Sequence, residues 1–128
     1  MKNTLPKSDR LTNRVSISQI YNGGKHLNEF PFKIVWRKEE EADYLGLKVV
    51  FSVPKRKFKR AVDRNQIKRL IREVYRSNKQ LCFESAETKN MSVSLFIVYL
   101  GKEIPSYQLV EDKIILLLNR LTNDINTK

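Results

Sequence analysis

The segment from Ala61 to Asn78 constrains the fold most, because it contains no glycine or proline and its composition favours a helix. At about 100° per residue, one side of this helix is apolar and carries Ile67, Leu70, Ile71 and Val74. The other side carries Arg60, Arg64, Asn65, Lys68, Arg69, Arg72, Arg76 and Lys79. The pattern predicts a helix that buries an apolar stripe and presents a ridge of cations to water, with Tyr75 at the boundary.

The positive charge of the chain is concentrated around this helix. The segment from Lys55 to Lys79 contains eleven basic and two acidic residues, so it carries a net charge of +9 out of +11 for the whole chain. Such one-sided charge indicates a docking surface for a polyanion, and the alternative is a solvated helix face with no partner.

The same residues resemble a known family. The sequence RNQIKRLIRE, from Arg64 to Glu73, resembles the signature helix of the bacterial ribonuclease P protein subunit, whose pattern is R-N-x-x-K-R-x-x-R-E. The preceding FSVPKR, from Phe51 to Arg56, is similar to the family strand that ends in S-V-S-K-K. The loop from Lys55 to Arg60 departs from the family pattern K-K-x-G-x-A-V, because it is one residue longer and lacks the glycine.

This resemblance implies both a function and a fold. The function is that of an RNA-binding subunit of ribonuclease P, the endoribonuclease that removes the 5′ leader of precursor tRNA. Catalysis is then expected in the RNA subunit, Mg²⁺ serves that RNA, and the protein aids leader binding and metal affinity. The implied fold is an α/β sandwich with a central sheet and a left-handed β-α-β crossover around the signature helix.

The remaining elements follow from hydrophobic periodicity. We predict a first helix within Leu11–Tyr21, strands at 30–37, 44–53 and 91–100, and a final helix at 107–123. The third strand is apolar almost throughout, so it is expected to be central and buried on both faces. The order α-β-β-α-β-α requires parallel pairing or a wider mixed sheet. We therefore expect an α/β (α+β) two-layer sandwich.

The segments between these elements are also assigned. We expect one domain over residues 1–128, with fraying at 1–8 and 124–128. The acidic stretch 38–43 is predicted to be a hairpin connection, and 81–90 a polar linker.

Candidate residues for binding RNA fall into two sets. The residues predicted to dock on the RNA subunit are Arg60, Arg64, Asn65, Lys68, Arg69, Arg72 and Arg76. The candidates for contact with the 5′ leader are Ile17, Tyr21, Phe32, Lys33, Trp36, Lys55, Arg56 and Phe58. Ile17 and Tyr21 lie where the family has two aromatic residues that help line the leader cleft, and the alternative for both is a place in the core. Phe58 lies among cations, so base stacking and a hydrophobic anchor for the loop both remain open.

Several other classes of function are excluded. A single cysteine, Cys82, rules out an intramolecular disulfide and a cysteine-based metal cluster and indicates a reducing compartment. The apolar runs are too short to span a bilayer, and the first ten residues lack the apolar core of a signal peptide, so we expect a cytoplasmic protein. The only histidine, His26, has no catalytic neighbours in the sequence, and no glycine-rich phosphate loop is present.

The sequence therefore predicts no active site, cofactor, metal or protein partner for the protein itself. Two functions remain: the ribonuclease P subunit, and a non-catalytic general RNA-binding module or RNA chaperone.

Overall fold

The computed structural model describes residues 24–39 and 44–127 of the chain. The helix predicted within Leu11–Tyr21, the expected fraying at 1–8 and most of the acidic stretch 38–43 lie outside these residues. The described part contains four strands, β1 (Lys25–Glu29), β2 (Phe32–Glu39), β3 (Gly46–Ser52) and β4 (Ser92–Tyr99). It also contains three helices, α1 (Ala61–Asn78), α2 (Gln80–Thr88) and α3 (Tyr107–Asn126).

The four strands form one mixed sheet with the order β1-β2-β4-β3. β2 pairs antiparallel with β1 and with β4, whereas β3 pairs parallel with β4 after the crossover through α1 and α2. The predicted central position of β4 is confirmed. The predicted hairpin between β2 and β3 is wrong, because β4 lies between these two strands.

One face of the sheet builds the main core. Residues 32, 34 and 36 of β2 lie opposite residues 99, 97 and 95 of β4 and share that face, since alternate side chains of a strand point the same way. All six are buried, and they form one cluster with the inward side chains of the three helices. The helices therefore cover this face. The opposite face of the sheet, which carries Lys33, points away from them.

Helix α1 forms as its periodicity predicts. Ile67, Ile71 and Val74 are fully buried, and Leu70 packs partly buried against the core. The expected boundary position of Tyr75 is wrong, because its side chain is fully buried and its ring packs edge-on against Phe51 at 5.7 Å between centroids.

Two elements escaped the prediction. The segment 81–90 lies largely in α2 and is not a linker. Cys82 and Ala86, one helical turn apart, form the buried stripe of this helix. The helix was missed because a stripe of two residues is too narrow to stand out in a polar segment. Strand β1 has the sequence KHLNE and buries only Leu27, so it gives no alternating signal. Helix α3 also continues to Asn126 with Ile125 buried, so the expected fraying is wrong for 124–126.

The predicted fold class, α-helices packed on a small central sheet, is confirmed. The left-handed sense of the crossover stays a prediction. Within the described residues, no helix has both the length and the apolar character needed to cross a membrane.

Candidate nucleic-acid interface

The outward side of α1 presents its polar residues as one continuous surface, which we call the basic face of α1. Arg60, Asn65 and Arg69 are exposed, and Lys68 and Arg76 are half-buried on the same side. Asp63 lies in the first turn, where a carboxylate interacts favourably with the positive end of the helix dipole, and its Oδ2 is 3.9 Å from Nε of Arg60. The predicted cationic ridge is therefore present on the folded protein.

A concavity opens on the basic face. Its volume is about 420 Å³, and its lining in the described part of the chain comprises Val62, Asn65, Gln66, Arg69 and Arg72. It places two side-chain amides and two guanidinium groups next to an exposed apolar side chain. Amides pair with base edges, and guanidinium groups bind phosphate oxygens in pairs of hydrogen bonds.

Two of the predicted RNA-docking arginines, Arg64 and Arg72, lie at the edge of the basic face and contact residues that precede α1. Nη1 of Arg64 donates hydrogen bonds to the carbonyl oxygens of Phe58 at 2.7 Å and Lys59 at 2.9 Å. The guanidinium of Arg72 lies over the ring of Phe51, 5.9 Å from its centroid. The expectation that Arg64 simply points to water is therefore wrong, because its side chain fastens the preceding loop to the helix.

This preceding loop, residues 54–60, is called the basic loop. Nζ of Lys57 donates to the carbonyl oxygen of Leu100 at 2.5 Å, and the backbone amides of Lys57 and Phe58 both donate to the carbonyl oxygen of Pro54. Lys55, Arg56, Lys59 and Arg60 remain exposed. The loop thus presents four cations from a backbone that is held at several points.

An aromatic anchor completes the hold on the basic loop. The ring of Phe58 is buried, with its centroid 6.0 Å from that of Tyr99, which in turn lies 5.1 Å from the ring of Phe32. Of the two alternatives for Phe58, the structure contains the hydrophobic anchor and not an accessible stacking surface. Where the family pattern has a glycine, this loop is fixed by a buried side chain.

The structure corrects part of the predicted leader-binding set. The side chains of Phe32 and Trp36 are 0% and 2% exposed and lie on the core face of the sheet, so they offer no ring to a nucleobase. The prediction named residues of both faces, because periodicity shows that two faces alternate but not which one the helices cover. Lys33 lies on the other face and is half-buried, and Ile17 and Tyr21 lie outside the described residues.

The face directed away from the described helices is called the open face, and it carries Lys33 and Arg37 on β2 and Lys48 on β3. Val35 and Val98 lie on this face and are buried although they do not belong to the main core cluster. Near the end of β2, the hydroxyl of Ser94 donates to Oε1 of Glu39 at 2.9 Å, and Arg37 forms an ion pair with the same carboxylate. The open face is therefore cationic at Lys33 and internally neutralised around Glu39.

Other residues of the surface were missed. Val62 and Gln66 line the concavity. The only sequence signal for them was their position, since Gln66 lies within the motif and Val62 lies two residues before it. Phe30 is exposed in the turn before β2, although the predicted strand 30–37 included it. Within the described residues, no group of three or more histidine, cysteine, aspartate or glutamate side chains is arranged to hold a metal ion.

Comparison with known proteins identifies the family. The sequence matches the family profile described as Ribonuclease P over residues 5–122. The chain belongs to the ribonuclease P protein family. The ribonuclease P protein component of Porphyromonas gingivalis is 34% identical over 107 residues, which cover 84% of this chain and 78% of that protein. The protein component of Chlorobium phaeobacteroides is 30% identical over 129 residues, which cover 93% of this chain and 88% of that protein.

A solved structure of the family agrees with the fold. The RNase P protein of Staphylococcus aureus superposes with a TM-score of 0.72 at 18% identity, and the match covers 91% of this chain and all of that one. The profile and sequence matches confirm the family prediction made from the α1 motif.

Proposed function

We propose that the basic face of α1 and the basic loop dock on the RNA subunit of ribonuclease P, and that the open face of the sheet receives the single-stranded 5′ leader. As a member of its family, the chain is the protein component of an endoribonuclease complex and acts in tRNA processing together with an RNA subunit. The residue assignments within that role are our proposal.

The observation that carries the docking proposal is the arrangement of charge on α1. Exposed cations on the helix and on the loop before it belong to one continuous segment with a net charge of +9. Arginine binds phosphate through two parallel hydrogen bonds, whereas lysine acts as a point charge. In this proposal Arg60, Lys68, Arg69 and Arg76 contact phosphates directly, and Asn65 adds a directional contact within the concavity.

The leader proposal rests on Lys33 and on the exposed cations of the basic loop, Lys55 and Arg56. A single strand is bound without base pairing when a cationic groove follows its backbone. Lys33 supplies charge on the open face near the end of the sheet where β2 begins and β3 leads into the basic loop. Ile17 and Tyr21 remain candidates for the wall of this cleft through the family pattern.

The contribution of the protein to catalysis would be electrostatic. The RNA subunit carries out the cleavage and uses Mg²⁺, and the precursor brings a second set of phosphates close to those of the RNA. Fixed lysine and arginine side chains reduce the repulsion between the two RNAs and replace bound counterions. The protein would therefore lower the Mg²⁺ concentration at which the complex works, in the cytoplasm where precursor tRNA is made.

Reconstitution tests this proposal. The protein is mixed with a bacterial ribonuclease P RNA and a precursor tRNA at an Mg²⁺ concentration at which the RNA alone is nearly inactive, and release of the 5′ leader is measured. We expect the protein to restore cleavage, Lys68→Ala/Arg69→Ala to weaken assembly, and Lys33→Ala to raise KM for precursors with a leader. If the protein binds the RNA but cleavage does not rise, a general RNA-binding module or chaperone becomes the better account.

A further inference from the structure

Three connections meet at one end of the sheet, which we call the loop end. Because β3 and β4 are parallel and β2 is antiparallel to β4, the start of β2 lies beside the ends of β3 and β4. The turn at residues 30–31, the basic loop and the connection 100–106 therefore lie together. The opposite end holds the start of β3 and the end of β2.

Hydrogen bonds join these connections through a single residue. The backbone amide of Leu100 donates to the carbonyl oxygen of Pro31 at 2.6 Å, and the carbonyl oxygen of Leu100 accepts from Nζ of Lys57 at 2.5 Å. The turn that carries Phe30 is thus fixed next to the basic loop.

The exposed aromatic side chains of the described residues lie at this same end. Phe30 is 74% exposed, and Tyr107, the first residue of α3 directly after the connection 100–106, is 46% exposed. The other described aromatic side chains are buried or half-buried. Of the aromatic residues predicted to contact the leader, Phe32, Trp36 and Phe58 are in the core, and Tyr21 lies outside the described residues. The accessible rings of the described residues are therefore ones that sequence patterns did not select.

Exposed rings next to exposed cations fit one class of partner. Proteins bind single-stranded nucleic acid by stacking bases on aromatic side chains while cations follow the backbone. A paired A-form helix keeps its bases stacked on one another, so its base faces are not available to a protein ring. The loop end therefore suits unpaired nucleotides better than a duplex.

We propose that Phe30, assisted by Tyr107, stacks on unpaired bases of the 5′ leader at the loop end of the sheet. This inference rests on the proposed function and extends it, since it assigns the leader a stacking site outside the predicted set. The leader is favoured over the RNA subunit because Lys33, proposed to contact the leader on the open face, is three residues from Phe30 on the same strand and turn. A leader that follows the open face towards the basic loop therefore passes Phe30.

The test uses the reconstituted complex and two precursor tRNAs, one with a long leader and one with a single leader nucleotide. We expect Phe30→Ala to weaken binding of the long-leader precursor by about five-fold or more, and Tyr107→Ala to weaken it less. Phe30→Trp should retain affinity, because a larger ring also stacks. Neither alanine variant should change binding of the single-nucleotide precursor. An abasic substitution at the stacked leader position should abolish the difference between Phe30→Ala and the unmodified protein.

Leu45→Ala provides the matched control, because Leu45 is a 49% exposed apolar side chain directly before β3, at the opposite end of the sheet. Equal affinity of Phe30→Ala and Leu45→Ala for the long-leader precursor would overturn the inference. An effect of Phe30→Ala that persists with the single-nucleotide leader, or that appears in binding of the RNA subunit alone, would also overturn it and would place Phe30 on the RNA subunit.

The outcomes separate this inference from the proposed function. If Lys68→Ala/Arg69→Ala weakens binding of the RNA subunit while Phe30→Ala changes nothing, the stacking site alone is wrong. If neither change has an effect, the proposed docking surface is also wrong.

Discussion

Helix α1 has eighteen residues, and its two sides have different roles. Ile67, Ile71 and Val74 on the inner side are fully buried, whereas Asn65 and Arg69 on the outer side are exposed. Like charges one turn apart along the outer side repel by roughly 0.2–0.5 kcal/mol per pair, so stability alone does not favour them. The inner side is thus explained by the requirements of folding, and the outer side by binding to a polyanion.

Arg64 lies between these two sides and has a structural role as well as a predicted binding role. Its guanidinium holds carbonyl oxygens of the basic loop, so a residue of the binding motif also stabilises the conformation of the loop. The comparison teaches that a motif position and a contact with RNA are not the same thing, and variants can separate the two.

The largest expected effect comes from the inner side. We expect Ile71→Ala to lower the free energy of unfolding by about 2–5 kcal/mol, because a fully buried side chain leaves a cavity. Leu70→Ala, at the partly buried neighbouring position, should cost less. Urea denaturation of both variants measures this difference, and equal losses would contradict the division of α1 into an inner and an outer side.

Cys82, on the buried side of α2, allows the effect of burial on stability to be tested by changing the pH. Burial raises the pKa of the Cys82 thiol and a hydrogen bond with Thr122 lowers it by a smaller amount, so the pKa rises in all from 9.0 to about 11. The folded state therefore favours the protonated thiol, so this stabilisation is complete below pH 9 and is lost as the pH rises towards 11. The loss amounts to about 3 kcal/mol at most.

Cys82→Ala lacks this thiol and is the control. The difference in unfolding free energy between the unmodified protein and Cys82→Ala, measured from pH 8 to pH 11, should change in the direction that disfavours the cysteine. A difference that stays constant over this range would show that the thiol is not buried as described.

A smaller effect is expected at the edge of the basic face. Arg64→Ala should lower stability by about 1 kcal/mol, because it removes hydrogen bonds from a charged donor to two carbonyl oxygens. Arg69→Ala, the matched change at an exposed position, should stay within about 0.5 kcal/mol.

Hydrogen exchange gives an independent measure of the same effect. The amides of Lys57 and Phe58 should exchange faster in Arg64→Ala and not in Arg69→Ala. Identical exchange in the two variants would show that Arg64 does not stabilise the basic loop and serves only as a phosphate contact.

Much of this architecture could be predicted from periodicity. The bounds of α1 and the central position of β4 followed from the spacing and density of apolar residues, because those elements bury complete sides. Strand β1 and helix α2 did not follow, since each buries one or two side chains in a polar sequence. The order of the strands is a long-range property that no local pattern contains.

The binding surface was predictable only in part, for a similar reason. Charge is read directly from the sequence, so the basic face of α1 was found. The choice between Phe32 and Lys33 depends on which sheet face the helices cover, and the exposure of Phe30 depends on how three connections pack at one end of the sheet. These are tertiary features, and they decided which aromatic side chains are accessible.

The central claim is that the outer side of α1 docks on RNA, and the salt dependence of binding tests it most directly. The affinity for a ribonuclease P RNA is measured over a range of salt concentrations for the unmodified protein, for Lys68→Ala/Arg69→Ala and for Lys38→Ala/Lys89→Ala. The last variant removes the same charge from exposed lysines at the opposite end of the sheet.

We predict that Lys68→Ala/Arg69→Ala lowers the slope of log affinity against log salt by roughly 0.7–0.9 for each phosphate that the protein no longer neutralises, while Lys38→Ala/Lys89→Ala leaves the slope unchanged. Equal slopes for the two double variants would show that overall charge rather than the outer side of α1 determines binding, and would contradict the account.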